Sequence, residues 1–458
     1  MISPARKIAF DVLRLVEEED AYASDVLHAQ LASHVKTEDA ALATELAMGV
    51  LRWRGFLDFL LQRSLKQSIA RLDLPVTLAL RMGAYQLRFL HRIPARAAVN
   101  ESVELVKRSR KSSATTLVNA VLRRISSETP IPADQLVPAN LPELERLSVL
   151  QSHPKWMIER WIAKFGMETT VALLQGNNAA PRLSVAIHKA EERAEILSEL
   201  TTAGMSVEDG ALLNTAITVS RGSPARTEAF RTGKISIQDE ASQAIPLLLD
   251  VHAGDRVLDL CAAPGGKTTQ LARRAATSEG CIVAADLHGH RLRAMRAQFE
   301  RLKLPDVRLV QLDAMRPLPF AQNFDRILVD APCSGTGTLA RHPEIRWRLR
   351  PEQLREFHQL QVEILCNAAA HLAPGGALVY STCSLESEEN EEVIDEALRR
   401  VSGLRLAAKP EIGRALQQHL TSNAQLSALL DSVGQFRTMP GRQRTDGFFA
   451  AVMVREQE

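Results

Sequence analysis

Arg256-Val-Leu-Asp-Leu-Cys-Ala-Ala-Pro-Gly-Gly-Lys-Thr268 reads as a buried strand, a glycine-containing turn and the start of a helix. That unit, repeated, builds an open parallel sheet with crossover helices. Working outward, further strands are predicted at Cys281-Ile-Val-Ala-Ala285, Val307-Arg-Leu-Val-Gln-Leu312, Arg326-Ile-Leu-Val329 and Ala377-Leu-Val-Tyr380. Helices are expected at 268–276 and 288–302, and Gly447-Phe-Phe-Ala-Ala-Val-Met-Val454 closes the domain as a last strand. The fold class is therefore α/β, a doubly wound sheet over residues 236–458.

The turn narrows the ligand. A Walker loop needs a glycine five positions before Gly266, where Cys261 stands, and a Gly-x-Gly-x-x-Gly fingerprint is absent. An adenosyl-cofactor loop remains: Gly265 and Gly266 let backbone approach a ligand, and the following helix offers free N–H groups. Asp286 closes the second strand, where an acid commonly binds ribose hydroxyls, and Asp313 follows the third, placed for an adenine amino group. Asp330 ends the fourth and Asp259 belongs to the first. A single strand-end aspartate is a common turn former, but four successive ones favour an adenosyl site.

Two cysteines follow predicted strands, Cys333 in Asp330-Ala-Pro-Cys-Ser-Gly-Thr-Gly337 and Cys383 in Tyr380-Ser-Thr-Cys-Ser384. Most free cysteines are small buried hydrophobes, and Cys281 and Cys366 read as such. Turn glycines around Cys333 argue otherwise for that thiol. Two thiols and a carboxylate at one sheet edge point to covalent chemistry on an electrophilic carbon, one sulfur attacking and one assisting release.

The first 125 residues read as helices, with apolar positions three and four apart in Ile8, Val12, Leu15, Val16 and in Leu46, Val50, Trp53, Leu57, Leu60. Prolines 130, 132, 138 and 142 mark a linker. The expected boundaries are a helical domain at 1–127, a linker at 128–145, a small α+β module at 146–235 and the large sheet thereafter. Between Arg52 and Lys111 stand 13 basic residues against four acids, a footprint suited to a phosphate backbone but also to a solvated helix face. His342 and Trp347, inside Arg341-His-Pro-Glu-Ile-Arg-Trp-Arg-Leu-Arg350, fit either base stacking or the start of a surface helix.

At 458 residues the chain exceeds one core, and its net charge of +2 is uninformative as a total. No apolar run is long enough to span a bilayer, and Met1-Ile-Ser-Pro-Ala-Arg-Lys7 has no secretory core behind its charges. Five cysteines without paired spacing fit a reducing, cytoplasmic setting, and no Cys-x-x-Cys or His-x-x-x-His grouping suggests a metal.

Asp259-Leu-Cys-Ala-Ala-Pro-Gly-Gly-Lys-Thr268, the Cys333 and Cys383 motifs and Gln238-Asp-Glu-Ala-Ser242 together closely resemble the Sun/Fmu (RsmB-type) family of bacterial RNA cytosine-C5 methyltransferases. Ala97-Ala-Val-Asn-Glu-Ser-Val-Glu-Leu105 and Val118-Asn-Ala-Val-Leu-Arg123 look like that family's NusB-like RNA-binding domain, so the likeness covers essentially the whole chain. It implies a Rossmann-like class I methyltransferase sheet, S-adenosyl-L-methionine as cofactor, and 16S ribosomal RNA or a small-subunit assembly intermediate as partner. A monomer is expected, with no metal and no membrane. Cys383 would be the nucleophile that adds to C6, Cys333 would assist release, and Asp330 would hydrogen-bond the base edge. The cofactor would be held by Cys261, Ala262, Ala263, Pro264, Gly265, Gly266, Lys267, Asp286, Asp313 and Asp330. In related DNA enzymes the Pro-Cys cysteine attacks instead, so exchanged thiol roles stand as an alternative. Three rivals remain: a cytosine-C5 methyltransferase of another RNA, an exocyclic-amine methyltransferase, which usually shows Asn/Asp-Pro-Pro-aromatic in place of Asp330-Ala-Pro-Cys, and a non-catalytic rRNA-binding assembly factor.

Overall fold

The computed structural model describes residues 2–32, 35–128, 131–275, 280–304 and 307–457, which form two compact units. One comprises Met1–Ala180 with Leu339–Leu349, the other Pro181–Thr338 with Arg350–Glu458. Among the described residues no helix is long and apolar enough to cross a membrane.

The first unit is helical. The helix Leu74–Phe89 is buried at every position from Val76 to Gln86, so it is the axis on which Pro4–Glu18, Thr37–Arg52, Ala95–Arg108 and Thr115–Ser127 pack. Leu13, Leu46, Leu57 and Leu122 fill the core between them. Of the proline-rich stretch, Thr129 and Pro130 lie outside the described residues. Pro132 and Pro142 directly precede the helices Ala133–Leu136 and Glu143–Gln151, a position where the missing N–H costs nothing. Helices Lys155–Phe165 and Met167–Asn178 complete the unit. Of the residues expected as a module at 146–235, the helices Lys155–Phe165 and Met167–Asn178 lie in this unit and the sheet in the other.

The stretch Leu339–Leu349 also belongs here; a short helix, Ile345–Arg348, does start in it, but His342 and Trp347 are half-buried within the unit and not on an open surface. Arg346 is wholly buried and donates to Ser152 O at 3.1 Å, Asn177 O at 3.2 Å and Asn178 Oδ1 at 2.9 Å. Trp347 Nε1 donates to Leu51 O at 2.7 Å, and Arg348 to Val16 O, also at 2.7 Å. These acceptors sit at the C-terminal ends of four helices, whose last carbonyls have no partner within the helix. The donors of 346–348 supply them, and helix dipoles favour the cations there. Charge that reads as a surface run is a cap.

In the second unit, β1 (Leu183–Ile187), β2 (Ser206–Asp209), β3 (Ala216–Arg221) and β4 (Ile235–Ile237) form an antiparallel sheet ordered β2-β3-β1-β4. The helix Arg193–Thr202 covers it through Ile196 and Leu200. The larger sheet holds β5 (Arg256–Leu260), β6 (Cys281–Asp286), β7 (Val307–Gln311), β8 (Phe324–Asp330), β9 (Leu372–Thr382), β10 (Leu404–Leu406), β11 (Phe436–Thr438) and β12 (Phe448–Arg455). Its order is β10-β12-β9-β8-β5-β6-β7, with β11 paired to β12. Strands β5 to β9 run parallel, whereas β12 pairs antiparallel with β9, β10 and β11. The sheet is therefore mixed, and β10 and β11 are not evident from the sequence, being three residues each. The expected helix at 268–276 is observed as Gly266–Ala275, and Ala276 lies outside the described residues. The chain reverses direction across the sheet between β5 and β8, the switch point where such folds open a ligand crevice.

Candidate active site

Strand register sets this site. Parallel pairing of β8 with β9 places Asp330 opposite Ser381, so the segments leaving both strands start level. Cys333, three residues on from Asp330, and Cys383, two on from Ser381, then meet with their sulfurs 3.3 Å apart. Gly337 lets the two loops touch: its N–H donates to Cys383 O at 2.8 Å. A Cβ on Gly337 would lie 2.2 Å from Gly447 O and 2.9 Å from Cys383 O, so only glycine fits.

The Cys333 thiol is pushed well above its ordinary value, first by its hydrogen bond to Cys383, then by burial and by the charges of Cys383 and Glu389. Asp330 lies beside the pair, its Oδ1 accepting from Ser381 Oγ at 2.8 Å and its Oδ2 from Lys267 Nζ at 2.6 Å. Lys267 Nζ also sits 5.1 Å from the centre of the Phe448 ring.

A cavity of about 420 Å³ runs from the thiols along the strand ends. Asp330, Cys333 and Cys383 line one part of it, and Cys261, Ala263, Asp286 and Asp313 another. Asp286 accepts backbone N–H groups from Ala263 at 3.2 Å and His288 at 2.9 Å, which ties the glycine turn to the end of β6. Leu287 and Met315, although 52% and 43% exposed, face the same cavity, apolar surface suited to a flat ring. They carry no signal in the sequence, since a lone aliphatic residue after a strand is ordinary.

Ala262, Pro264, Gly265, Gly266 and Lys267 are not part of the cavity wall. Gly265 carries a constraint its sequence does not show: its φ is +96°, and a Cβ would sit 2.9 Å from Phe299 in the helix Gly289–Arg301. Asp259 likewise is not a strand-end ligand. It lies inside β5, 1% exposed, accepting from Thr268 Oγ1 at 2.6 Å, and burial raises its pKa to about 7.

Sequence reasoning missed Glu389. It is fully buried and accepts from Ser334 N at 2.7 Å, Ser384 Oγ at 2.6 Å, Gln361 Nε2 at 3.1 Å and Ser334 Oγ. Burial raises its pKa while those donors pull it back. In sequence it is one of five glutamates between 386 and 392, a run that looks solvated.

Family models match residues 3–127 as the NusB family, 153–226 as the RsmF/B-like ferredoxin-like domain and 246–454 as the 16S rRNA methyltransferase RsmB/F. Ribosomal RNA small subunit methyltransferase B of Klebsiella pneumoniae is 31% identical over 459 residues, 99% of this chain and 98% of that one. This chain belongs to the RsmB/F family of 16S rRNA methyltransferases. The Pseudomonas putida enzyme of the same name is 36% identical over 87% of this chain and 90% of its own. The crystal structure of PH0851 matches 99% of both chains at 26% identity and a TM-score of 0.80.

In this RsmB/F-family chain the basic band of the NusB-like domain is smaller than its charge count. Arg54 pairs with Glu17, Arg81 with Asp58, Lys107 with Glu104, Arg108 with Asp11 and Lys111 with Asp73, while Arg52 is buried on Ala340 O. Arg63, Lys66, Arg71, Arg92, Arg96 and Arg110 are exposed, with no ion pair among the described residues.

Proposed function

We propose that this RsmB/F-family protein methylates C5 of a cytosine in 16S rRNA through a covalent Cys383–C6 adduct, using S-adenosyl-L-methionine. The observation carrying this reading is the pair of sulfurs 3.3 Å apart in a cavity also lined by Asp286 and Asp313. Asp286 and Asp313 would hold the cofactor's adenosyl part, their carboxylates being suited to ribose and base donors, with Leu287 and Met315 offering apolar surface to the base. When bound, the cofactor supplies an electrophilic methyl.

Cytosine C5 is a poor nucleophile. Addition of the Cys383 thiolate to C6 makes an enamine whose C5 can take up the methyl group. Asp330, held by Ser381 and Lys267, hydrogen-bonds the base edge near N3 and steadies the charge that builds there. The C5 proton then passes to water, its bonding pair re-forms C5=C6, and the C6–S pair returns to Cys383. Cys333, which holds its proton, donates to the departing sulfur and so assists release. The target cytosine must be unpaired or flipped to enter the cavity. The exposed arginines of the NusB-like domain would contact rRNA phosphates.

The test is transfer of labelled methyl from S-adenosyl-L-methionine to unmodified 16S rRNA, and separately to an assembling small subunit, followed by nucleoside analysis. 5-Methylcytidine at one position is expected. N4-methylcytidine would favour the exocyclic-amine reading, and rRNA binding without transfer would favour an assembly factor.

A further inference from the structure

Glu389 bridges the two cysteine loops at the residue that follows each thiol. Its Oε2 accepts from the backbone N–H of Ser334, and its Oε1 from the hydroxyls of Ser334 and Ser384. The two hydroxyls are themselves 3.2 Å apart. Gln361 Nε2 reaches both Glu389 Oε2, at 3.1 Å, and Pro332 O, at 2.9 Å, and so holds the carboxylate to the residue before Cys333. From the other side the Tyr380 hydroxyl donates to Glu389 O at 2.6 Å. Four donors on one carboxylate suit its ionised form, which only accepts.

We propose that Glu389 is a positioning residue for the thiol pair: it fixes their spacing, and its negative charge adds to what keeps the proton on Cys333. This rests on the thiol roles of the proposed function. The charged and titratable groups facing Cys333 are few. Cys383 comes from the end of β9, Glu389 from the segment after it, and Tyr380 from within β9. Asp330, from the end of β8, is matched by Lys267 at 2.6 Å. Among the described residues no cation is bonded to Glu389, and its field adds to what opposes ionisation of Cys333. When elimination returns the C6–S electron pair to Cys383, the S–H of Cys333 is therefore in place as donor.

The experiment follows alkylation of Cys333 by iodoacetamide against pH, read by peptide mass spectrometry on the full-length, cofactor-free protein. Glu389→Gln should lower the pH midpoint for Cys333 by about one unit or more, whereas Glu389→Asp should leave it near the wild-type value. In methyl transfer to 16S rRNA, Glu389→Gln should lower kcat about 10- to 100-fold with KM for S-adenosyl-L-methionine unchanged, and Glu389→Asp should recover part of the loss. Should Glu389→Gln fail to fold, the Ser334→Ala/Ser384→Ala variant removes two tethers and keeps the charge. It should lower kcat while preserving the Cys333 midpoint. An unmoved midpoint in Glu389→Gln, or an equal shift in Glu389→Asp, overturns the proposal. A wild type that shows this pH profile yet methylates no rRNA overturns the proposed function and leaves the control of Cys333 by Glu389 standing.

Discussion

Arg346 and Glu389 are both completely buried charges, one in each unit, and the protein accommodates them differently. Arg346 is surrounded by backbone carbonyls at helix C-termini and the amide oxygen of Asn178. Its pKa falls to about 9 through burial and the nearby Arg52, which leaves it charged at neutral pH. Glu389 is surrounded by donors that belong to the segments carrying Cys333 and Cys383. The first charge completes the ends of helices, and the second holds two reactive groups in register. A buried ion is tolerated when dipoles replace its water; what it does depends on which segments own those dipoles.

Three substitutions probe the two units, from the largest effect to the smallest. Cys383→Ala should reduce methyl transfer to rRNA by at least about 1000-fold, since the nucleophile itself is gone. Asp330→Asn removes the partner of Lys267 and should lower kcat about 100-fold, read in the same assay. Arg346→Met leaves helix-end carbonyls without donors and should lower the urea-unfolding free energy by about 2 kcal/mol. It should leave the pH dependence of Cys333 alkylation unchanged, and a shift there would break the distinction between the two buried charges.

Asp259 sharpens the comparison from the side of the carboxylates. Glu389 accepts four hydrogen bonds, whereas Asp259 accepts one from Thr268 and its Oδ1 has no partner among the described residues. Its folded pKa of about 7 lies above the ordinary 3.8, so the folded state binds more protons than the unfolded chain between those values. Stability must therefore fall as pH rises from about 4 to 7, because ionising Asp259 in place is unfavourable. Asp259→Asn should remove that slope, a difference on the order of 1 kcal/mol between urea titrations at pH 5 and pH 7.5.

Much of the fold was legible locally. The runs Val257-Leu-Asp-Leu and Ile327-Leu-Val are buried strands of the expected type, and the thiols that follow β8 and β9 do meet. The helical half was equally plain, because apolar positions at helical spacing became its core. What could not be read was which charges go inside. Glu389 sits in a glutamate run and Arg346 in a basic one, and both patterns ordinarily mean solvent. Only the arrangement of distant segments (Ser334 with Ser384, or helix ends at Ser152 and Asn177) shows otherwise. The basic band shrinks for the same reason, since acids as distant as Asp11 and Glu17 neutralise part of it. Gly265 shows the converse: its motif stands out in the sequence, but the constraint comes from φ and from Phe299.

The most direct measurement traps protein–RNA adducts on denaturing gels after incubation with unmodified 16S rRNA and S-adenosyl-L-methionine, comparing Cys333→Ala with Cys383→Ala. Attack by Cys383 and assisted release by Cys333 predict a stable adduct for Cys333→Ala and none for Cys383→Ala. An adduct from Cys383→Ala would reverse the two roles, and full turnover without an adduct in both variants would contradict covalent catalysis by this pair.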